Sequence, residues 1–400
     1  MRPFDGRRVL LGVTGGIASY KTTWLARLLH KAGAEVDVVL SRSAREFVGA
    51  VTFEALTGRP VHTELVAQGH ALDHIALARA AHAIVVAPAT ADFLARAAHG
   101  NADDLLSAIL LAAQTPVLLV PAMNDRMWSH VQTQANVRRC REIGYRVLDP
   151  DVGALAAGEG EGPGRMPEPE TIFAHASRLL EPASLAGRSI LITAGPTREP
   201  VDPVRVLSNR SSGKMGVALA ESAWRRGGDV SLVHGPLELS VPTGVRTVAV
   251  ETTAGMLDAV AAALPAADVL VMAAAPADFA PRDASASKIK KSAAPPELSL
   301  IPTPDILSET RPLRRPECVV IGFALETDAP VEHARAKLQS KGLDAIVVND
   351  ATESGAGFGG DTNRVTILHS DGREDVLPLL SKRDVADEVF DRIEAMLSGR

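Results

Sequence analysis

Cysteine, basic charge and long apolar runs are all scarce in this chain of 400 residues. The two cysteines, Cys140 and Cys318, are too few and too far apart to predict a disulfide framework or a thiolate metal site, and they fit a reducing cytoplasm. A net charge of -6 argues against a nucleic-acid-binding protein, which usually carries a basic excess. No stretch of about 18 apolar residues occurs, so no membrane span is expected. The apolar run before Thr14 is also too short for a signal peptide.

What the sequence does contain is an α/β pattern that occurs twice. Each half begins with an apolar strand, a glycine-containing loop, a helix and a second apolar strand. Continuous apolar strands that alternate with helices predict parallel sheets covered on both faces. We therefore predict an α/β protein with two doubly wound parallel-sheet domains, residues 1–182 and 188–400, and a boundary near residue 183. Ligands in such sheets bind at the carboxyl ends of the strands, so the loops directly after strands are the informative ones.

Three loops of the first half carry candidate functional residues. Thr14-Gly15-Gly16-Ile17 would present backbone N–H groups to an anion at a helix N-terminus. It lacks the spacing of a dinucleotide fingerprint, and a tight turn that merely packs is an equal alternative. The other loops hold Pro88-Ala89-Thr90 and Pro121-Ala122-Met123-Asn124, where the asparagine alone is more simply a turn residue. His74, which precedes a predicted helix, is by itself more simply a cap or a surface residue than a base.

Together these motifs resemble the flavin-dependent cysteine decarboxylase family. GVTGGIASYK, HIALARA, APATADF, ADDLL and PAMNDRMW stand in the family's order across residues 9–166, and the last fits P-x-M-N-x-x-M-W at every fixed position. The resemblance implies a flavodoxin-like domain that binds FMN and removes CO2 after the cysteinyl carbon next to sulfur has been oxidised. It implies flavin contacts at Gly15, Gly16, Ile17, Ser41 and Thr90, an active-site base at His74, and a ligand for the substrate carboxylate at Asn124.

The glycine-rich stretch Gly153–Met166, GALAAGEGEGPGRM, is predicted to be a mobile lid. In the family the corresponding flap carries a cysteine that protonates the enethiolate carbon, whereas this sequence has Ala157 there. Glu159 and Glu161 are the candidate donors, because burial under a closed lid favours the protonated form of a carboxyl group. A trapped water is the alternative donor. Full turnover is the favoured expectation, and the alternative is a half that stops at the oxidised enethiol.

After its first strand, the second half has PTREPVDPVRVLSNRSSGK, a polar stretch that is predicted to be a long loop and is followed by a helix that begins at MG. The SSGKMG at this junction is not a P-loop, because Ser208 stands where the first glycine is required. Arg205, Asn209 and Lys214 precede a helix in an arrangement that suits an anionic ligand. A capped helix with a solvated loop is the alternative.

Farther along, the strand in DVLVMAAAPADF ends in small residues, which would let a planar base approach the backbone. Asp278 follows, and then the lysine run KIKK, which begins at Lys288. Lysines serve as point charges for phosphates, although a charge run is more simply a solvated face. Lys337 and Lys341 stand four apart on one face of a predicted helix.

These stretches resemble the CTP-dependent phosphopantothenate–cysteine ligase family from about residue 188 to residue 390. ITAGPTREPVDPVR, SNRSSGKMG, KIKK, TPDIL, GFALET and GFGGDTNRVTIL match in order, while Pro276 and Thr303 depart from the family's usual Val and from the Asn of some relatives. The resemblance implies a Rossmann-like domain in which Asn209 stabilises the acyl-cytidylate step and Arg205 lies near the substrate. It implies a CTP site formed by Met272, Ala273, Ala274, Asp278, Lys288, Thr303, Pro304, Asp305, Ile306, Phe323, Lys337 and Lys341.

The two halves in this order are similar to the bifunctional bacterial coenzyme A biosynthesis family. The resemblance implies small-molecule substrates, namely 4'-phosphopantothenate, cysteine and CTP, with Mg²⁺ to neutralise phosphate charge and with no metal ligands identified. It implies a cytoplasmic homo-oligomer, a dodecamer that combines decarboxylase trimers, with sites at subunit interfaces, and ligase dimers, without nucleic-acid or membrane partners. Two alternatives stay open: a ligase whose flavoprotein half is only a scaffold, and a non-enzymatic flavin-binding subunit that regulates a partner.

Overall fold

The computed structural model describes residues 3–66, 72–155, 158, 160–290, 297–326, 330–350 and 360–399. The chain divides into two compact units, Met1–Pro182 and Ala183–Arg400. Each unit has its own sheet and its own core, so the predicted α/β class with two sheets is confirmed. No helix within these ranges is long and apolar enough to cross a membrane.

The first unit is built on a six-stranded parallel sheet with the order β3-β2-β1-β4-β5-β6, beside a separate two-stranded hairpin, β7 and β8. Its strands are β1 (Arg8–Val13), β2 (Glu35–Leu40), β3 (Val61–His62), β4 (Ala83–Ala89), β5 (Val117–Pro121), β6 (Arg146–Val147), β7 (Asp151–Ala154) and β8 (Glu161–Arg165). Its helices are α1 (Ser19–Lys31), α2 (Ala50–Thr57), α3 (Asp73–Ala80), α4 (Ala91–His99), α5 (Leu105–Ala112), α6 (Asp125–Ser129), α7 (Val131–Glu142) and α8 (Pro169–Leu180).

Strand β1 shows why this sheet is covered on both faces. Leu11 and Val13 belong to one buried cluster, to which α1, α2 and α8 contribute, whereas Leu10 belongs to a second cluster built with α3, α4, α5 and α7. An apolar residue at every position of a strand requires cover on both sides. The strand order is 3-2-1-4-5-6 rather than the 2-1-3-4-5 of flavodoxin itself, and it reverses between β1 and β4, where ligands bind in such sheets.

The second unit is built on an eight-stranded sheet with the order β13-β12-β9-β14-β17-β18-β20-β21. Its strands are β9 (Ser189–Ala194), β10 (Arg198–Pro200), β11 (Val206–Ser208), β12 (Asp229–His234), β13 (Arg246–Ala249), β14 (Val269–Met272), β15 (Phe279–Pro281), β16 (Leu300–Pro302), β17 (Val319–Glu326), β18 (Ala345–Asp350), β19 (Thr362–Asn363), β20 (Val365–His369), β21 (Glu374–Val376) and β22 (Leu380–Ser381). Its helices are α9 (Lys214–Arg225), α10 (Thr253–Ala263), α11 (Ile306–Glu309), α12 (Pro330–Lys341) and α13 (Lys382–Ser398).

The first six strands of this order are parallel, as predicted, and β20 and β21 add an antiparallel edge. A short turn joins β20 to β21, and a connection that short permits only antiparallel pairing. Helices α10 and α12 contribute to the buried cluster on one side of the sheet. Helix α9 packs against β9 and β12, with α13 beside it.

Two stretches that the sequence predicts to be irregular contain strands. Within the polar stretch after the first strand of the second half, β10 pairs antiparallel with β11. The turn between them closes with a hydrogen bond from the amide of Val201 to the carbonyl of Arg205 (2.9 Å). In the predicted lid, β7 pairs antiparallel with β8. Both hairpins are short and separate from the main sheets, so their strands need no continuous apolar run. Without such a run the sequence pattern does not predict a buried strand.

Candidate functional sites

The predicted flavin residues lie on three neighbouring loops at the carboxyl ends of β1, β2 and β4. Thr14 joins two of these loops, because its hydroxyl donates to the carbonyl of Pro88 (2.8 Å) and accepts from the amide of Thr90 (3.1 Å). Gly15 meets the third loop, since a Cβ at this position would lie 2.4 Å from the side chain of Ser43. Glycine therefore allows the loops after β1 and β2 to approach closely.

The loop after β1 enters α1 in a form that suits an anion. The residue before the helix is Ala18, which supplies no side-chain cap. Gly16 and Ile17 come just before it, and the side chain of Ile17 is exposed. The amide of Ser41 donates to the carbonyl of Val13 (3.0 Å), which keeps the loop after β2 beside this one. A phosphate can occupy the place of a capping group at such a helix start, so these residues fit the phosphate of a flavin nucleotide.

Asn124 is the N-cap of α6, at the carboxyl end of β5. Its Oδ1 accepts a hydrogen bond from the amide of Arg126 (2.9 Å), which leaves the side-chain NH2 as the donating end. A carboxylate only accepts hydrogen bonds, so this NH2 is suited to hold one. The amide of Met123 donates to the carbonyl of Gly164 (3.0 Å), which places the β7–β8 hairpin directly against the Asn124 turn.

The hairpin is closed by its own hydrogen bond near the tip and is held by α1 at its base. Near its tip, the amide of Leu155 donates to the carbonyl of Gly160 (2.9 Å). At its base, the ammonium group of Lys21 on α1 donates to the carbonyl of Met166 (3.1 Å) and pairs with Glu168 (2.9 Å). The described part of the stretch predicted as a mobile lid is thus a paired hairpin held by α1 and by the Asn124 turn.

Two residues of the predicted lid, Ala157 and Glu159, lie outside the described residues. Glu161 is the first residue of β8 and its side chain is exposed. Whether a lid glutamate or a water replaces the family's cysteine therefore stays a prediction.

The position of the hairpin depends on Gly164. Its φ is +143°, and a Cβ there would lie 2.1 Å from the carbonyl oxygen of Met123. We expect Gly164→Ala to displace the hairpin, to lower the free energy of unfolding by about 1–3 kcal/mol, and to slow the CO2 release that the sequence resemblance implies. Thermal unfolding and CO2 release measure both effects. Gly153→Ala on β7 is the control, because the nearest atoms there belong to the flexible side chain of Arg165; equal unfolding midpoints for the two variants would contradict the prediction.

His74 lies in a different cavity, of about 470 Å³, and its Nδ1 is buried without a hydrogen-bond partner among the described residues. The rest of the lining is apolar: Leu65, Val66, Ile75, Ala102, Ala108, Leu111 and Ala112. The lining includes neither Asn124 nor any predicted flavin residue, so the described part of one chain does not bring His74 to the flavin loops. A buried, unsatisfied imidazole nitrogen is costly, which favours completion of this cavity by a ligand or a second copy of the chain.

The second unit has a cavity of about 410 Å³ at the carboxyl ends of its parallel strands. Its lining comes from the segment before α9, from the start of α9, from the carboxyl ends of β14, β17 and β18, and from single residues of α12, β19 and α13. Six of the residues that line it are site residues predicted from the sequence. The predicted site residues that line it are Asn209, Ala273, Ala274, Asp278, Phe323 and Lys337.

Two glycines bring α9 against the sheet beside this cavity. A Cβ on Gly216, in the first turn of α9, would lie 2.5 Å from the Cβ of Ala194. Gly213, with φ +73°, is the N-cap and supplies no side chain to the helix start. The N-terminal amides of a helix of 12 residues therefore face a site at the strand ends, where a helix dipole favours an anion.

Asn209 fixes the turn that follows β14. Its Nδ2 donates to the carbonyls of Ala275 (3.2 Å) and Pro276 (2.9 Å). Thr303 joins the same turn, because its amide donates to the carbonyl of Asp278 (3.0 Å). The two departures from the family pattern, Pro276 and Thr303, thus lie in one hydrogen-bonded turn.

The predicted residues that do not line the cavity are Arg205, Met272, Lys288, Thr303, Pro304, Asp305, Ile306 and Lys341. Met272 is a core residue, whose sulfur accepts a long contact from the hydroxyl of Thr193 (3.7 Å). Lys288 is exposed, in a segment bound to Arg205, whose guanidinium donates to the carbonyl of Ile289 (2.7 Å). The structure therefore places Arg205 and Lys288 together, on a loop rather than in the cavity wall.

The stretch Thr303–Ile306 is linked to the cavity through α12. Asp305 caps α11 and accepts a hydrogen bond from the ammonium group of Lys341, one helical turn beyond Lys337 in the cavity wall. Burial raises the pKa of Asp305, but hydrogen bonds from Lys341 and Ser308 lower it more, so the net pKa is below its usual value. This carboxylate is therefore ionised at neutral pH and holds Lys341 in place.

Sequence reasoning missed three polar residues of the cavity wall: Asn349, Asn363 and Lys382. Lys382 is buried at the start of α13, and burial together with the ammonium group of Lys214 lowers its pKa. Lys214 pairs with the exposed carboxylate of Asp361 (2.6 Å). The described lining thus contains Lys214, Lys337 and Lys382 but only one acidic side chain, that of Asp278. Such a site favours a ligand with several negative charges.

Two family models match the chain, one for each unit. Residues 2–180 match the model described as Flavoprotein, and residues 185–397 match the DNA/pantothenate metabolism flavoprotein C-terminal domain. The fold and the strand-end sites therefore define a two-domain flavoprotein.

Comparison with whole proteins narrows this class. The chain is 47% identical to the coenzyme A biosynthesis bifunctional protein CoaBC of Mycobacterium bovis, over 98% of this chain and 97% of that protein. It is 42% identical to the CoaBC of Bacillus subtilis, over 98% of each. A crystal structure of the C-terminal domain of a CoaBC is 40% identical and covers 55% of this chain and all of that chain, with a TM-score of 0.47. The chain belongs to the coenzyme A biosynthesis bifunctional protein family, which confirms the predicted class of bifunctional enzyme.

Proposed function

We propose that residues 188–400 form a CTP-dependent ligase that joins 4'-phosphopantothenate to cysteine, and that residues 1–182 decarboxylate the product with FMN to give 4'-phosphopantetheine. The observation that carries the ligase proposal is the lysine-rich cavity at the strand ends of the second unit. Its volume of about 410 Å³ is that of a small-molecule site. Membership of the family supports both activities in one chain.

In the ligase, the small residues Ala273 and Ala274 line the cavity where a planar base would stack against the backbone. Lys214, Lys337 and Lys382 would oppose the charge of the triphosphate. The carboxylate of phosphopantothenate would attack the α-phosphorus of CTP and release pyrophosphate. The cysteine amine would then attack the acyl carbon and release CMP.

The residues present offer little to a metal ion by themselves. Within the described ranges no group of three or more His, Cys, Asp or Glu side chains could hold one. Mg²⁺ would therefore be bound chiefly by the phosphates of CTP, with Asp278 as the nearest available carboxylate in the cavity wall. That mode of binding is usual for magnesium at nucleotide sites.

In the decarboxylase, Gly15, Gly16, Ile17, Ser41 and Thr90 would hold FMN, on the three adjoining loops at the ends of β1, β2 and β4. Bound FMN would accept the hydride from the carbon next to sulfur. The NH2 group of Asn124 would hold the substrate carboxylate until CO2 leaves, and the hairpin that packs on Asn124 would exclude water.

His74 reaches such a site only from another copy of the chain. Around its cavity, the apolar side chains of Val66, Leu72 and Leu111 are 84%, 72% and 60% exposed. An apolar surface next to an orphaned imidazole supports a subunit interface, so we propose a homo-oligomer in which His74 completes a neighbour's site. The two cysteines are buried and form no disulfide with each other, which is consistent with a cytoplasmic enzyme.

The test of the ligase is pyrophosphate release that requires CTP, 4'-phosphopantothenate and the purified chain, followed by product formation when cysteine is added. Release with other nucleotides but not with CTP would contradict the nucleotide assignment. Absence of any release would favour the non-enzymatic binding subunit over the ligase.

The test of the decarboxylase is anaerobic mixing of the yellow protein with phosphopantothenoylcysteine. Loss and recovery of the flavin absorbance together with 4'-phosphopantetheine indicate full turnover. Permanent loss with one CO2 per site means that the half stops at the oxidised enethiol, and an unchanged spectrum contradicts the decarboxylase proposal. A colourless protein that does not take up FMN would favour the scaffold alternative.

Replacement of Lys382 should affect the stability of the fold and the binding of CTP in different directions. Because burial and Lys214 lower its pKa, the charged form is disfavoured in the fold, and this penalty is present at every pH below the unfolded pKa. Lys382→Gln should therefore leave the unfolding midpoint unchanged or raise it, while it weakens CTP binding by about tenfold. Calorimetric titration and thermal unfolding measure the two effects. Arg383→Gln, which breaks the adjacent ion pair with Glu221, should lower the unfolding midpoint and leave CTP affinity unchanged. Equal CTP affinity in both variants would contradict the prediction.

A further inference from the structure

A buried carboxylate, that of Asp202, lies at the turn between β10 and β11. None of its side-chain surface is exposed. Oδ1 accepts from the amides of Val204 and Arg205 (2.9 Å each). Oδ2 accepts from the guanidinium Nε of Arg205 (2.9 Å) and from the amide of Ile289 (3.1 Å). The last bond spans 87 residues of sequence, so it does more than close a local turn.

The same turn holds the distant segment at further points. The guanidinium of Arg205 donates to the carbonyl of Ile289 (2.7 Å), so both polar groups of that residue's backbone are bound. The amide of Ser285 donates to the carbonyl of Val201 (3.0 Å). The hydrogen bond from Arg205, joined by the three amides, holds the pKa of Asp202 well below its usual range although burial alone would raise it. The ionised carboxylate of Asp202 therefore binds this turn to the segment that carries Lys288.

We propose that Asp202 is a positioning residue for the ligase, which fixes the backbone of Ile289 and through it the place of the Lys288 ammonium group. This inference rests on the proposed function of the second unit. Lys288 is exposed and has a long flexible side chain. Such a side chain reaches the same phosphate in each turnover only if its own backbone is held.

Asp202→Asn keeps the shape of the side chain but removes its charge and turns one accepting oxygen into a donating NH2. At the place of Oδ2, that NH2 can accept neither the bond from the Ile289 amide nor the bond from the Arg205 guanidinium. We expect CTP-dependent pyrophosphate release to fall by roughly 10- to 100-fold, the effect of losing hydrogen bonds to a charged group. Asp371→Asn is the matched control, because Asp371 also accepts from the amide (3.0 Å) and Nε (2.7 Å) of Arg373 in a turn. Its activity should equal that of the unmodified protein.

A double-mutant cycle separates positioning from general support of the fold. If Asp202 acts through Lys288, then Asp202→Asn should change single-turnover cytidylate formation by less than about twofold in a Lys288→Gln background. An equal fractional loss in both backgrounds would overturn the proposal. A second pair tests the bond itself: Ile289→Pro removes the amide that donates to Asp202, whereas Ile289→Ala keeps it, so only the proline variant should lose activity.

Limited proteolysis gives a readout that needs no ligase activity. Trypsin should cleave after Lys288 and Lys290 faster in Asp202→Asn than in Asp371→Asn, with unchanged thermal unfolding of the rest of the second unit. If the unmodified protein releases no pyrophosphate, the proposed function fails while the cleavage comparison still tests the clamp. If the protein is active and Asp202→Asn retains both its rate and its resistance to trypsin, the positioning role of Asp202 is refuted.

Discussion

Lys288→Gln is expected to cause a severe but measurable loss of cytidylate formation while the fold stays intact. The lysine side chain is exposed, so its replacement removes no buried contact and should not move the unfolding midpoint. Its ammonium group would face phosphates whose charge grows as pyrophosphate leaves. Removal of one such electrostatic contact lowers a rate constant by about 100- to 1,000-fold. Single-turnover release of pyrophosphate with 4'-phosphopantothenate and CTP measures the loss.

Lys290→Gln is the matched control for this experiment. Lys290 is equally exposed on the same segment, two residues away, and carries the same charge. A general attraction of CTP by a basic run would make the two variants equal, and both losses would shrink as salt is raised. A specific contact predicts a large loss for Lys288→Gln only, and near-normal pyrophosphate release by that variant would refute its role.

The architecture and much of the second site followed from local sequence. A run of apolar residues such as that in RVLLGV predicts a buried strand. The loops that follow such strands form the site, because parallel strands end at one edge of the sheet. Asn209 and Asp278 lie on such loops, whereas Lys337 was predicted on a helix face and assigned to the site by the family resemblance; all three line one cavity. Asn349 lies at the end of β18, so the same rule applied to that strand would have found it.

Other features could not be read from local pattern. Lys382 begins a helix far along the chain, and only the tertiary fold brings it to Lys214. Met272 satisfies the family pattern yet points into the core, because the sequence does not say which face of a strand end meets the ligand. The β7–β8 and β10–β11 hairpins are stabilised by turns and by contacts with other segments, not by an alternation of apolar and polar side chains. Their glycine-rich or polar composition therefore predicted loops instead of strands.

Asn124→Asp should abolish CO2 release without loss of FMN. The substitution preserves the helix cap, because aspartate is as good an N-cap as asparagine and its oxygen can still accept the bond from Arg126 (2.9 Å in this structure). What changes is the other end of the side chain, where a donating NH2 becomes an oxygen with negative charge. The substrate's own carboxylate would then meet repulsion in place of a hydrogen bond. The residues predicted to hold the flavin lie on other loops, so the cofactor should remain.

The measurement is the flavin spectrum of the purified variant together with CO2 release from phosphopantothenoylcysteine, and a loss of at least about 100-fold in release is expected. Gln114→Glu is the control, since it makes the same amide-to-carboxylate change at an exposed position before β5, at the opposite edge of the sheet. That variant should keep both colour and activity. A different result would contradict this role: a colourless Asn124→Asp that releases CO2 at the normal rate once FMN is added back. In that case Asn124 supports the flavin loops, and the substrate carboxylate is held elsewhere. If Asn124→Asp stays yellow and inactive while its unfolding midpoint matches that of Gln114→Glu, the cause of the loss is the missing side-chain NH2 of Asn124. That NH2 is the one hydrogen-bond donor of the side chain, and the helix cap does not use it.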